Sequence, residues 1–212
     1  MPGLSQRIRA LAHEHAARGY LVVAPSLFGR GRPGHDHGYK YQMAFSGKEL
    51  VMPLQAVDSI RAMLDVQTVV TWAQGQVAQG KVGILGFCWG GLLAWHAACT
   101  LPQVFAAASF YGAGITDPQV RGLRPMCPVL VHRPSKGEWM THQSMDAFIA
   151  VQRDHFPAHG SVRPGQKVPM VQIERYDAAY GFDHAASRQH DPLASQVARG
   201  KTGDFFDKYL SI

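Results

Sequence analysis

Apolar positions in this chain follow two alternating spacings. Leu4, Ile8 and Leu11 recur at helical intervals. With Ser5 as a cap and Gly19 closing the pattern, they predict an amphipathic helix over 5–18. The run YLVVA at 20–24 is short, apolar and partly β-branched, and Pro25 stops it. It predicts a strand buried on both faces of a parallel sheet. Ile60, Leu64, Val69 and Trp72 predict a helix over 59–72, which GQVAQGK breaks before the apolar run VGILGF, the second strand. Three more strand-like runs follow, VFAAASFY (104–111), PVLVH (128–132) and VPMVQIERY (168–176), separated by helices predicted at 89–99, 142–152 and 193–209. Such alternation calls for right-handed βαβ crossovers, hence an α/β architecture with a mostly parallel sheet and helices on both faces. The long irregular segments 26–48, 112–127 and 155–167 are candidate site loops.

The 212 residues, 46% hydrophobic and 17% charged, suffice for one buried core and predict a single domain over 1–212. Lys and Arg exceed Asp and Glu by 21 to 15, for a net charge of +6. The positive charges are scattered, and no helix-turn-helix, RNP-like or zinc-finger pattern accompanies them, so no nucleic-acid partner is expected. The three cysteines, Cys88, Cys99 and Cys127, cannot all pair and lack C-x-x-C spacing. That excludes a disulfide scaffold or zinc ribbon and favours a reduced, cytoplasmic setting. The N-terminal segment has no continuous apolar run, and nowhere do about 18 uncharged apolar residues follow one another, so neither a signal peptide nor a membrane span is expected. His35-Asp36-His37 sets two imidazoles on a glycine-rich loop with no third ligand in view, so no metal site is expected. Arg30, Arg32, Lys40, Tyr39 and Tyr41 share that loop and read as a solvated basic stretch.

The chemistry concentrates in Ile84 to Ala94, ILGFCWGGLLA, where an apolar strand runs through Gly86-Phe87-Cys88-Trp89-Gly90-Gly91 into a helix. This is the order of a nucleophile elbow. A tight strand-to-helix turn holds its central residue in a strained conformation and demands neighbours without side chains, as at Gly86, Gly90 and Gly91. The turn lifts the Cys88 sulfur above the strand end. There the helix N-terminus favours thiolate, and the Trp89 backbone N–H can donate to an oxyanion. Cys99 and Cys127 lack that context and read as small core residues.

The segment GFCWGG resembles the dienelactone hydrolase family (carboxymethylenebutenolidases), a branch of the α/β-hydrolases that uses cysteine at the elbow. ARGYLVVAPSLFGR, the strand PVLVH and the tail from Tyr176 through DFFDKYL extend the resemblance over nearly the whole chain. The resemblance implies a three-layer α/β-hydrolase fold. It also implies hydrolysis of a small-molecule ester or lactone by a Cys-His-Asp triad, with no metal or organic cofactor. The acid is expected on the loop after PVLVH and the histidine near the end of the chain.

Laid onto this sequence, the triad diverges. Gly137 stands at the acid's position, and Glu138, one residue along, is the substitute carboxylate. Tyr180 occupies the histidine's place in the run from Tyr176 to Phe182, yet a phenol titrates near 10 and is a poor base at neutral pH. His184, beside Asp183, is an alternative base, and His132 and His142 flank the acid-bearing loop. The candidate catalytic residues are therefore Cys88, Tyr180, Glu138 and His184, with Trp89 as oxyanion donor.

In the family, a central strand lies between those predicted here at 20–24 and 82–86, and further strands precede it. This chain opens after them. Either it belongs to a longer protein, or the two strands pair directly, or another copy fills the gap in a homo-oligomer. A rival to the hydrolase is a non-catalytic relative that keeps the fold as a binding or interaction module.

Overall fold

The computed structural model describes residues 5–27, 59–137, 139–153 and 171–210. The chain divides into two compact units, Met1–Ala78 and Gln79–Ile212. In the first, α1 spans Gln6–Ala16, and the Ser5 hydroxyl accepts a hydrogen bond from the Ile8 N–H at 3.4 Å, satisfying one of the donors a helix start leaves open. Gly19, at φ +94°, turns the chain after it in a conformation that favours glycine. Helix α2 spans Ser59–Gln74, but its buried side is not the predicted one. Ala62, Val66 and Val70 are buried, at helical spacing, whereas Ile60, Leu64 and Trp72 are exposed.

The predicted strand at 20–24 is not formed. Strand character requires a hydrogen-bonded ladder, and this segment has no ladder partner among the described residues. Its Leu21 is left 52% exposed and its Val23 38%.

The second unit carries β1 (Val82–Phe87), α3 (Trp89–Thr100), β2 (Val104–Phe110), β3 (Val129–Lys136), α4 (His142–Gln152), β4 (Val171–Ala179) and α5 (Pro192–Leu210). The strands lie in the order β1-β2-β3-β4, every neighbouring pair parallel. β2 and β3 are buried along most of their length, as parallel strands covered on both faces must be. β3 runs past the predicted PVLVH to Lys136, and its register with β4 shifts between Pro134 and Lys136, where proline supplies no ladder N–H.

Two glycines of β1 show how the layers stack. A Cβ at Gly83 would meet Leu210 Cδ1 of α5 at 2.5 Å, and one at Gly86 would meet Gly90 O of α3 at 1.9 Å. Side chains three positions apart on a strand point to opposite faces. α5 and α3 therefore cover opposite sides of the sheet, giving the three layers of an α/β-hydrolase. α4 joins α3 through Trp95 and Phe148, ring centroids 5.0 Å apart. α4 starts at a Thr141 cap whose hydroxyl accepts from Ser144 N–H at 3.1 Å.

Register matters for the site because it levels the strand ends. Phe87 pairs with Phe110, and Phe110 with His132. The residues that follow β1, β2, β3 and β4 are Cys88, Tyr111, Gly137 and Tyr180. Ligands of open α/β sheets bind at this carboxyl edge.

Candidate active site

Cys88 has φ 56° and ψ −121°, a conformation that costs a non-glycine residue on the order of 1–3 kcal/mol and persists only when its surroundings enforce it. Here they do. The Cys88 N–H donates to Phe110 O at 3.0 Å. Its carbonyl accepts from the N–H groups of Gly91 at 2.9 Å, Leu92 at 3.3 Å and Ala113 at 3.2 Å. The glycines divide by role. Gly86 lies against the backbone of Gly90, and a Cβ on Gly91 would stand 2.8 Å from both Gly112 Cα and Ser109 Oγ. Gly90, expected to be required too, has nothing within 4 Å of its Cβ position among the described residues. A tight strand-to-helix turn is thus formed at Cys88, with Gly86 and Gly91 as its steric conditions.

The Cys88 thiol is pushed up from its ordinary range by burial, against the opposing pull of the Tyr180 hydroxyl and the Trp89 backbone N–H. This corrects the expectation of a favoured thiolate: removing the sulfur from water costs more than the helix N-terminus returns. Tyr180 faces the thiol in turn. Its pKa is raised, by burial first and by Cys88 second, and its hydroxyl oxygen is buried with no nitrogen or oxygen partner in hydrogen-bonding geometry among the described residues. Among the described residues the phenol faces the Cys88 sulfur, a weak acceptor, in a contact that falls short of a full hydrogen bond. Gly137 backs the Tyr180 ring: a Cβ there would lie 3.6 Å from Tyr180 Cβ. Cys88, Tyr180 and Gly137, which the resemblance assigns to nucleophile, base and acid, are thus brought together.

The other candidates go elsewhere. Glu138 lies outside the described residues, as do His35-Asp36-His37, Arg30, Arg32, Lys40, Tyr39, Tyr41 and the segment 155–167. No imidazole acts on Cys88 among the described residues. His184 is half-buried in the turn after β4, where its Nδ1 accepts from Ala186 N–H at 3.3 Å, and His142 is exposed at the start of α4.

His132 is fully buried, with Nδ1 2.9 Å from the Tyr176 hydroxyl and Nε2 2.8 Å from Thr202 Oγ1. Thr202 gives its one hydroxyl proton to Ala198 O at 2.8 Å, so it accepts from Nε2–H, and Nδ1 accepts from Tyr176; this hydrogen-bond network assigns the tautomer. Burial, helped by the nearby Lys201 charge, holds His132 down to about 3. It is a neutral cross-link between β3, β4 and α5, not a base.

Cys99 and Cys127 are pushed up to about 12 by burial, Cys99 also by Cys127. Cys127 is buried as expected and Cys99 only half-buried.

The turn carrying Tyr180 and His184 is pinned by Asp183, which is fully buried. Arg199 of α5 grips it with Nε–Oδ1 at 2.7 Å and Nη2–Oδ2 at 3.4 Å. Removing one partner of such a pair leaves the other's charge uncompensated. Because Arg199 retains 30% exposure, Asp183→Ala is expected to cost about 2–3 kcal/mol, below the usual value for a fully buried pair. Urea unfolding measures this, and an unchanged midpoint would mean that the pair does not hold the turn.

Sequence reasoning missed Tyr111 and Trp139. The Tyr111 ring lies 5.1 Å from that of Tyr180 and the Trp139 ring 6.2 Å from it. Tyr111 also has a positive φ of 39°, its N–H donating to His132 O at 2.7 Å. The available signal was positional: Tyr111 directly follows the run VFAAASF, at the same carboxyl edge as the elbow.

A sequence model described as the dienelactone hydrolase family matches residues 1–210. A carboxymethylenebutenolidase-like protein of Synechocystis is 35% identical over 115 residues, covering 53% of this chain and 45% of that protein. A carboxymethylenebutenolidase of Pseudomonas is 24% identical over 196 residues, covering 88% of this chain and 72% of that one. The chain spans less than half the length of the relatives matched at 32% to 35% identity. The crystal structure of a dienelactone hydrolase-like protein from Klebsiella pneumoniae superposes with a TM-score of 0.77 at 21% identity, covering 98% of this chain and 83% of that one. With the elbow, the layered parallel sheet and a match running nearly end to end, this chain belongs to the dienelactone hydrolase family.

Proposed function

We propose that the protein hydrolyses small-molecule esters or lactones by covalent catalysis, with Cys88 as the nucleophile. The carrying observation is the positive φ of Cys88 between Gly86 and Gly91, because backbone strain held by so many surrounding contacts is a cost that a packing cysteine would not need. The sulfur attacks the substrate carbonyl, the developing oxyanion meets the Trp89 backbone N–H, and water resolves the thioester. No metal or organic cofactor is called for, and a reducing compartment such as the cytoplasm suits a working thiol. With no imidazole beside the sulfur among the described residues, turnover lacks general-base help worth about 10²-fold to 10⁴-fold, so the enzyme is slow.

Cys88→Ala is expected to bring hydrolysis of p-nitrophenyl acetate and of a simple aryl lactone down to the uncatalysed rate without changing the thermal unfolding midpoint. Equal hydrolysis by wild type and variant would refute the reading and leave the binding-module alternative standing.

A further inference from the structure

The Tyr180 hydroxyl is the feature that the ordinary triad scheme does not explain. It takes the place the resemblance gives to the base, its oxygen is buried beside Cys88 Sγ, and no nitrogen or oxygen among the described residues receives its proton. Behind it stands Gly137, not a carboxylate, so that position supplies no charge to stabilise a cation of the kind an imidazole becomes. The ring packs against Tyr111 and Trp139. A buried donor without an acceptor is unfavourable, and at a carbonyl-cleaving site the natural acceptor is an oxygen of the substrate.

We propose that Tyr180 is the proton relay of this site, receiving the thiol proton of Cys88 and passing its own phenolic proton to the substrate's departing oxygen. The inference rests on the hydrolase reading above. In acylation, the C–S bond forms and the C–O bond breaks. The thiol proton moves to Tyr180 Oη as the phenolic proton moves to the leaving oxygen, giving a thioester and a free alcohol. In deacylation, water attacks the thioester carbon, its proton passes to Tyr180 Oη, and the phenolic proton returns to Cys88 Sγ as the C–S bond breaks. The acid is released and both side chains are restored. No step requires free phenolate or thiolate, which suits a pair whose ionised forms are both disfavoured by burial.

Tyr180→Phe tests the relay, since it removes one oxygen and keeps the ring that packs on Tyr111 and Trp139. Hydrolysis is to be followed with phenyl acetate and p-nitrophenyl acetate, whose leaving groups differ in their need for a proton. The expected result is a fall in kcat/KM of about 10²-fold for phenyl acetate and a fall several times smaller for p-nitrophenyl acetate, while iodoacetamide alkylation of Cys88, which has no oxygen leaving group, shifts far less than either. A loss equal for both esters, or no loss, would overturn the relay while leaving Cys88 as the nucleophile. Full activity in Cys88→Ala would overturn the hydrolase reading, and the relay with it.

Discussion

Gly86→Ala is expected to cost the protein about 3 kcal/mol of stability or more, whereas Gly90→Ala, four residues along, is expected to be neutral or slightly stabilising. A Cβ at position 86 would stand 1.9 Å from Gly90 O, 2.2 Å from its carbonyl carbon and 2.8 Å from Gly91 N, all backbone atoms. No rotamer change can relieve that overlap. The first turn of α3 would have to move away from β1, and with it the bonds from Gly91 and Leu92 to the Cys88 carbonyl. Overpacking against mobile side chains costs about 1–3 kcal/mol and occasionally more. Against fixed backbone, the upper end of that range or beyond is expected, out of a domain's usual margin of about 5–15 kcal/mol. A Cβ at Gly90 would meet nothing within 4 Å among the described residues, and alanine there adds helix propensity worth up to about 1 kcal/mol. Thermal unfolding followed by circular dichroism compares the two. Equal midpoints would mean that the close approach of strand and helix at the elbow is not what requires glycine at 86.

The contrast between those glycines shows what the sequence could convey. The pattern G-x-C-x-G-G announced a strand-to-helix turn, and the turn is there, because apolar run, breaker and helix former all agree locally. Which glycine is sterically obligatory depends on what lies across the gap, and no spacing rule reports that. The same limit explains YLVVA at 20–24. Its composition suits a buried strand, but pairing is a property of two segments, and Leu21 and Val23 stay exposed without a ladder. Helix α2 was legible as a helix and misread in its buried side, since Ile60, Leu64 and Trp72 lie outside the stripe of Ala62, Val66 and Val70.

At the site, reading Tyr180 and Gly137 as the positions of base and acid anticipated their juxtaposition around Cys88. The conformation of Gly137 was invisible. At φ +124° an aspartate would be strained there whatever the space around it, so the backbone at this position disfavours an acid as the residue type does. His132 shows the converse. A histidine on the acid-bearing strand invited a catalytic role, but a strand interior buries it, and Tyr176 and Thr202 use both of its nitrogens.

Alkylation of Cys88 by iodoacetamide is expected to rise about tenfold per pH unit through the neutral range, with no plateau near neutrality. The sign follows from the direction of its shift. Burial raises the thiol's pKa, so the protonated form predominates below that raised value, and each unit of pH below it multiplies the reactive thiolate by about ten. A cysteine paired with imidazole behaves differently, since the ion pair is already formed at neutral pH and the rate levels off.

Cys88 should nonetheless be modified before the other two thiols. The Tyr180 hydroxyl and the Trp89 N–H both favour its thiolate. Cys99 and Cys127, pushed up to about 12, have no such donor acting on them among the described residues, and Cys99 is further opposed by its neighbour. Peptide mapping after limited alkylation across a pH series measures both order and slope. A plateau near neutral pH would show that a cationic base reaches the sulfur, and the relay assigned to Tyr180 would give way to an ordinary thiolate–imidazolium mechanism; labelling of Cys99 or Cys127 first would remove Cys88 from the nucleophile's role.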